Sequence, residues 1–394
     1  MKTVKKLVAA LLCAVLLLGC FAGCHEKGAT VATVTLDKKE FKVPAGVYLT
    51  MLINADSEAR SKVAEDLQEE EKDTEDINYS KQKIKVDKKE YKFYDYVLMR
   101  AKEMVSEYLV TAYMFDKYEL KLSEENESAM QQYVSYQWAY NGNAYLFEPN
   151  GVSYESFEDY MKVNMYYRSD VFDYFYGEKG EKAPAKADIE KALQEHFAIA
   201  NLLEISIKDK DGKDLAEDEL KKIADKIEGY CTRINDGSAT FTDIKAEYEA
   251  ETKTEDEEED EEETTETETD TTESKPKDEN AVVMGDSETS VSHGSYEAVK
   301  ALEVGKATLV KGTDGYYRLA IKQDILADEY YFTTYRDEVV RIMHAEDFNK
   351  FIADEAGKLK IEYDSYEVDY LAPKKISYDT YQQWYSDMMS NYGQ

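Results

Sequence analysis

Cysteine and histidine are scarce in this chain. Three of the four cysteines, Cys13, Cys20 and Cys24, fall within the first two dozen residues, and only Cys231 lies deeper. Neither a disulfide framework nor a cysteine-rich zinc site can be assembled from such a set. Cys231 sits in an expected helix and reads as a small buried apolar residue. The four histidines, His25, His196, His293 and His344, are scattered without ligand spacing. His196 and His344 read as packing residues and His293 as part of a loop. There is no glycine-rich phosphate loop, no nucleophile elbow and no His-Glu-x-x-His helix. Acidic residues are so frequent that carboxylate pairs arise everywhere by chance, and no glycosidase pair stands out. No cofactor and no metal is expected. Positive charge is also short: 49 Lys and Arg face 83 Asp and Glu, a net charge of −34. That excludes a general nucleic-acid binder, which needs a basic face for phosphates. It also disfavours adsorption to anionic lipid.

The longest uncharged run is short and lies at the start. Lys2, Lys5 and Lys6 precede the stretch Leu7 to Leu18, the layout of a secretory signal and too short to span a bilayer comfortably. Leu17-Leu18-Gly19-Cys20 follows and resembles the lipobox of bacterial lipoproteins, whose cysteine is diacylated and becomes the new N-terminus. Phe21-Ala22-Gly23-Cys24 is a second candidate, less suited because leucine is favoured three places before the cysteine. The resemblance therefore implies lipid attachment at Cys20, with Cys24 as the alternative. Two acyl chains anchor stably, which places the chain on the outer face of the cytoplasmic membrane.

Tyrosine is the outlier, at 33 residues. Its large ring can be buried while its polar tip stays wet. Most are expected in cores, and some could line a surface that grips apolar segments of other chains.

The roughly 370 residues beyond the signal exceed one typical domain. Val31 to Val43 alternates apolar and polar residues and reads as a short strand or extended lead-in, and Pro44 suits the first turn of a helix. Helical spacing then recurs through Val47–Leu67, Val97–Phe115, a helix opened by Ser123, another opened by Ser153 and ending at Gly177, and one begun by Pro184. From there the pattern changes. Ala200 to Ile207 reads as a strand, Leu215 to Ile234 as an amphipathic helix, and Ala307–Val310 with Tyr316–Ile321 as a hairpin. Glu251 to Glu279 holds 16 acidic and 3 basic residues and is expected to be a solvated, disordered insert. A long helix from about Asp328 to Lys358 and a tail with Tyr381, Trp384, Tyr385 and Met388 on one face complete the chain.

In this order the segments resemble the parvulin-type foldase lipoproteins of the PrsA type, akin to SurA. Glu90 to Leu122 is similar to the family's long chaperone helix. Asn150-Gly151-Val152-Ser153 to Tyr160 is similar to the start of its next helix. Arg233-Ile234-Asn235-Asp236-Gly237 with Phe241 and Tyr248 resembles a parvulin segment, as do Ala298, Leu302, Val304 and Gly305, and Gly315-Tyr316. The resemblance implies an α+β fold: a mostly helical SurA-like chaperone domain with an inserted small parvulin-like, FKBP-type β-α module. The expected boundaries are 1–24 for signal and lipobox, 25–197 for the first helical part, 198–326 for the module with its acidic insert at 250–280, and 327–394 for helices returning to the first part.

The family's activity is peptidyl-prolyl isomerisation, which must lower a barrier of ~18–20 kcal/mol to twisting the amide. Parvulins surround the bond with paired histidines and an acid or thiol. Here the first histidine position falls on Asn201 (or, one step along, Leu202) and the second on Tyr317. Lys300 takes the place of an aromatic in the proline cup, the glycine-rich run shrinks to Gly285-Asp286, and an acid position survives only as Glu251. No catalytic set is therefore expected. The implied function is holding unfolded exported polypeptides rather than isomerising them. The alternative is a cell-surface binding or adhesion lipoprotein on the same scaffold. No two-lobed α/β pattern of a solute-binding protein is present, and the oligomeric state stays open.

Overall fold

In the computed structural model the described residues are 29–69, 77–86, 88–210, 212–252, 275–286, 296–312 and 314–392. Cys20, Cys24, His25, His293 and most of the acidic insert lie outside them. The fold is α+β and mostly helical, as expected from the sequence. It divides into two compact units, one reaching to Lys182 and resuming at Glu346, the other Ala183–Ala345.

The first unit begins with a hairpin, β1 Thr30–Leu36 and β2 Lys39–Pro44, where a single strand was expected. Leu36 faces Lys39 across a two-residue turn, and Asp37 and Lys38 both adopt positive φ (47° and 69°). This double left-handed geometry matches strand twist, but it is usually signalled by Asn-Gly or Asp-Gly; Asp-Lys hides it. Pro44 ends β2 instead of opening the helix. Helix α1, Ala45–Glu69, buries Val47, Met51, Leu52, Ala55, Ala59 and Val63 at helical spacing. A second hairpin, β3 Lys83–Val86 and β4 Lys89–Lys92, precedes α2, Phe93–Lys117. The expected helix reached back to Glu90, but Ile84 and Tyr91 pair across this lysine-rich ribbon instead. Helices α1 and α2 pack together through Phe93, Val97, Ala101, Val105 and Leu109.

Serine caps set the next two helices. Ser123 Oγ accepts from Asn126 N at 3.0 Å and starts α3, Glu124–Ala139. After the short α4, Asn143–Phe147, Ser153 Oγ accepts from Ser156 N at 3.3 Å and starts α5, Tyr154–Met161. A π-helical stretch, Lys162–Tyr167, carries the chain into α6, Arg168–Tyr176. The C-terminal return closes the unit. Phe348 and Phe351 pack edge-on against Phe172 and Phe175, and β9, Glu362–Tyr363, adds a third strand beside β1 and leads into the short α12, Ser365–Tyr370. Tyr378 ends up on α1. Its hydroxyl donates to Asp56 Oδ2 at 2.9 Å, and Asp56 also takes the Arg60 guanidinium at 2.5 Å. Arg60 lies between the Tyr378 and Tyr79 rings, 4.3 Å from each centroid.

The second unit holds a four-stranded antiparallel sheet in the order β6-β5-β8-β7, from β5 Phe197–Ser206, β6 Ala281–Gly285, β7 Ala307–Lys311 and β8 Tyr316–Gln323. Strand β6 was not anticipated: its five residues, Ala-Val-Val-Met-Gly, are apolar throughout and show no alternation. Helices α8, Glu217–Asn235, and α9, Phe241–Thr252, cover one face. Ile227, Tyr230, Cys231, Phe241 and Ile244 meet Leu203, Ile205, Ala307 and Leu319 there. The short α10, Tyr296–Lys300, covers the other face with Tyr296 and Val299 against Ala198, Ala200, Val310 and Ala320. Helix α7, Lys186–His196, clusters with this unit rather than with the helices before it. The long α11, Glu329–Ala356, starts in the second unit and ends in the first.

Candidate functional site

The three positions aligned with the isomerase machinery are not brought together. Side chains alternate across a strand. Asn201 therefore shares the α8/α9 face with Leu203 and Ile205, and Tyr317 borders the same cluster from β8, four residues along from the partner of Asn201. Lys300 belongs to α10 on the opposite face. Asn201 is buried and fully engaged. Its Nδ2 donates to Asp278 Oδ2 at 2.9 Å, and its Oδ1 accepts from Gln323 Nε2, which also donates to Asp278 at 2.7 Å. Partial burial works to raise the Asp278 pKa, yet hydrogen bonds from Asn201, the Asn280 amide and Gln323 outweigh it and hold the carboxyl below the usual range. Lys300 donates to the Glu195 carbonyl. Glu251, the remaining acid position, stands exposed on α9 with its Oε2 against Lys226 at 2.5 Å.

One pairing in this unit escaped the sequence reading. His196 Nδ1 lies 2.7 Å from Asp286 Oδ2, and the Asp286 amide donates to the His196 carbonyl at 3.0 Å. The partners are 90 residues apart, so no local spacing announces them. They fasten the start of β5 to the end of β6. A cavity lined by Phe197, Lys300, Val304 and Lys322 has a volume of about 120 Å³, below the several hundred Å³ of a small-molecule site.

The first unit offers a different kind of site. Helix α3 buries Met130, Val134 and Trp138 in one stripe. Trp138 lies among Phe147, Tyr154 and Phe157. The other side of α3 presents Tyr136 and Tyr140, 54% and 72% exposed, with rings stacked at 5.4 Å. Gly142 then turns the chain with φ +74°, and α4 lifts Tyr145 to the surface. The C-terminal helix α13, Asp379–Tyr392, lies against this turn. Its Trp384 stacks on Tyr145 at 5.5 Å, with Tyr381 alongside at 5.5 Å. Gly142 is required twice over: a Cβ there would stand 2.2 Å from the Trp384 ring, and the backbone is left-handed. One turn on, Tyr385 and Met389 are exposed on the solvent side of α13. Tyr136, Tyr140, Tyr145, Trp384, Tyr385 and Met389 are thus aromatic and thioether groups carried at the surface by α3, α4 and α13. Helical spacing in the sequence places Tyr381, Trp384, Tyr385 and Met388 on one face. The structure separates them, with Tyr381, Trp384 and Met388 half-buried and Tyr385 exposed. Tyr136 and Tyr140 were missed, because tyrosine is so abundant here that spacing alone does not tell a core ring from a surface one.

No protein-family model matches this chain, and no curated protein sequence does. Among solved structures, the foldase protein PrsA from Lactococcus lactis is similar over 69% of this chain and 86% of its own, at 13% identity and a TM-score of 0.34. The foldase protein PrsA from Streptococcus pneumoniae is similar over 74% of this chain and 98% of its own, at 12% identity and a TM-score of 0.37.

Proposed function

We propose that this chain is a chaperone, lipid-anchored through Cys20 (or Cys24) outside the cytoplasmic membrane, that holds newly exported, unfolded polypeptides. The observation that carries the reading is the exposed tyrosine and methionine surface of the first unit. Such side chains combine apolar area with adaptability, and here they are grouped rather than scattered, Tyr136 on Tyr140 and Tyr145 on Trp384. The second unit acts as a scaffold without isomerase activity. Asn201 is committed to Asp278 and Gln323, and Lys300 and Tyr317 belong to opposite faces of the sheet.

Two assays on the mature chain test this. It should suppress aggregation of unrelated unfolded proteins at near-stoichiometric ratios, and it should leave the cis/trans rate of a proline peptide unchanged. A protein that protects none of several unrelated clients is a dedicated binder or adhesin instead. Clear acceleration of isomerisation would overturn the scaffold reading.

A further inference from the structure

The chain segments that carry the exposed rings are also devoid of positive charge. From Ser123 to Met161 and from Ile376 to Gln394 there is no lysine, arginine or histidine. The helices and turn that build the surface carry Glu124, Glu125, Glu127, Glu148, Asp379 and Asp387, all exposed. None of the six belongs to an ion pair among the described residues, although carboxylates elsewhere in the unit, Glu58, Glu90 and Glu107 among them, are matched with lysine or arginine. The lack of cations is therefore local and does not merely follow from the net charge of −34.

We infer that the occupant of this surface is an extended polypeptide segment in which lysine or arginine alternates with apolar residues. This rests on the chaperone reading and names its substrate class. Exposed tyrosine faces attract ammonium and guanidinium groups, and this chain uses the same contact internally where Arg60 lies between two tyrosines. The unmatched carboxylates add attraction at the rim and repel acidic segments. Anionic partners, including nucleic acid and anionic lipid, are disfavoured by the same arrangement. A second copy of this chain is the rival occupant, since the lysine-rich hairpin Lys83–Lys92 carries the complementary charge.

The test is fluorescence anisotropy with the mature chain and three unstructured peptides that share one apolar sequence and differ only in interspersed lysine, glutamine or glutamate. The lysine peptide should bind about tenfold tighter than the glutamine peptide at low salt, with the glutamate peptide weakest. The preference should shrink to about threefold or less near 0.5 M salt. The triple variant E148Q/D379N/D387N, whose sites flank Tyr145, Tyr381 and Tyr385 in the chain, should lose most of the preference while still binding the glutamine peptide. Equal affinity for the three peptides overturns the inference and leaves the chaperone reading standing. A preference unchanged in the triple variant assigns it to charge elsewhere and overturns the site. Failure to bind any peptide, together with failure to suppress aggregation, removes both readings. Self-association that the triple variant abolishes would make a second copy the occupant and overturn the inference as well.

Discussion

Replacing Gly142 by alanine should release the C-terminal helix without unfolding the core. The substitution acts in two ways. An L-residue at φ +74° meets the left-handed penalty of about 1–2 kcal/mol. Its methyl would also stand 2.2 Å from the Trp384 ring, so the indole must leave and forfeit its stacking on Tyr145, about 0.5–1.5 kcal/mol. The backbone penalty applies whether or not the helix is docked, so the displaced indole alone biases it towards detachment, by about 0.5–1.5 kcal/mol or roughly two- to tenfold. The helix has little to resist with. None of its residues from Asp379 to Ser390 is fully buried, and a 14-residue helix is marginal on its own. Amide exchange across 379–392 should therefore accelerate by roughly that factor. The two tryptophans separate the effects: Trp138 is buried and Trp384 is not, so acrylamide quenching of the variant reports Trp384. Global urea unfolding of the first unit should lose only the backbone penalty of about 1–2 kcal/mol. Unchanged exchange in the C-terminal helix would refute the reasoning.

Three further outcomes follow from buried groups. Tyr378→Phe removes two hydrogen bonds, to Asp56 at 2.9 Å and Ser57 at 3.1 Å, and leaves a buried carboxylate with less support. It should cost the first unit about 1–3 kcal/mol in urea unfolding, and a loss below about 0.5 would contradict this. Arg318→Met deletes a buried guanidinium that grips Asp314 with two bonds, at 2.6 and 2.8 Å, and Glu204 at 2.6 Å. The two carboxylates are about a third exposed, so water screens what they lose and the cost falls to about 1–3 kcal/mol, confined to the second unit. Burial, aided by Glu228, pushes the Cys231 thiol up to about 11. Its alkylation near pH 8 should therefore run only through opening of the second unit, and labelling at the rate of a free thiol in native buffer would show that the α8 face is open.

Much of the helical architecture was legible because its cues are local. Ser123 and Ser153 act as caps where their sequence context announced them, and the apolar spacing of α1 and α2 marks their buried faces. The hairpins were harder to read. Asp37-Lys38 takes a turn conformation usually given by glycine, and β3–β4 is short and lysine-rich, so nothing in composition separates it from the helix that follows. The long-range pairings were invisible: His196 with Asp286, Asn201 with Asp278 and Gln323, and Trp384 over Gly142 join segments whose distance in sequence carries no period. The same holds for the candidate site. Tyrosine abundance suggested that some rings would line a surface. Which ones do so depends on α13 meeting α4, a tertiary fact.

The central claim is that the exposed rings of α3 and α13 hold unfolded chains, and one comparison tests it most directly. Light scattering of an aggregating basic client would be followed with the mature chain and with Tyr136→Ala/Tyr140→Ala/Tyr385→Ala, whose sites are exposed and whose fold should be intact by circular dichroism. The account requires strong suppression by the parent at near-stoichiometric ratio and most of that suppression lost in the triple variant. Equal protection by both proteins would contradict it.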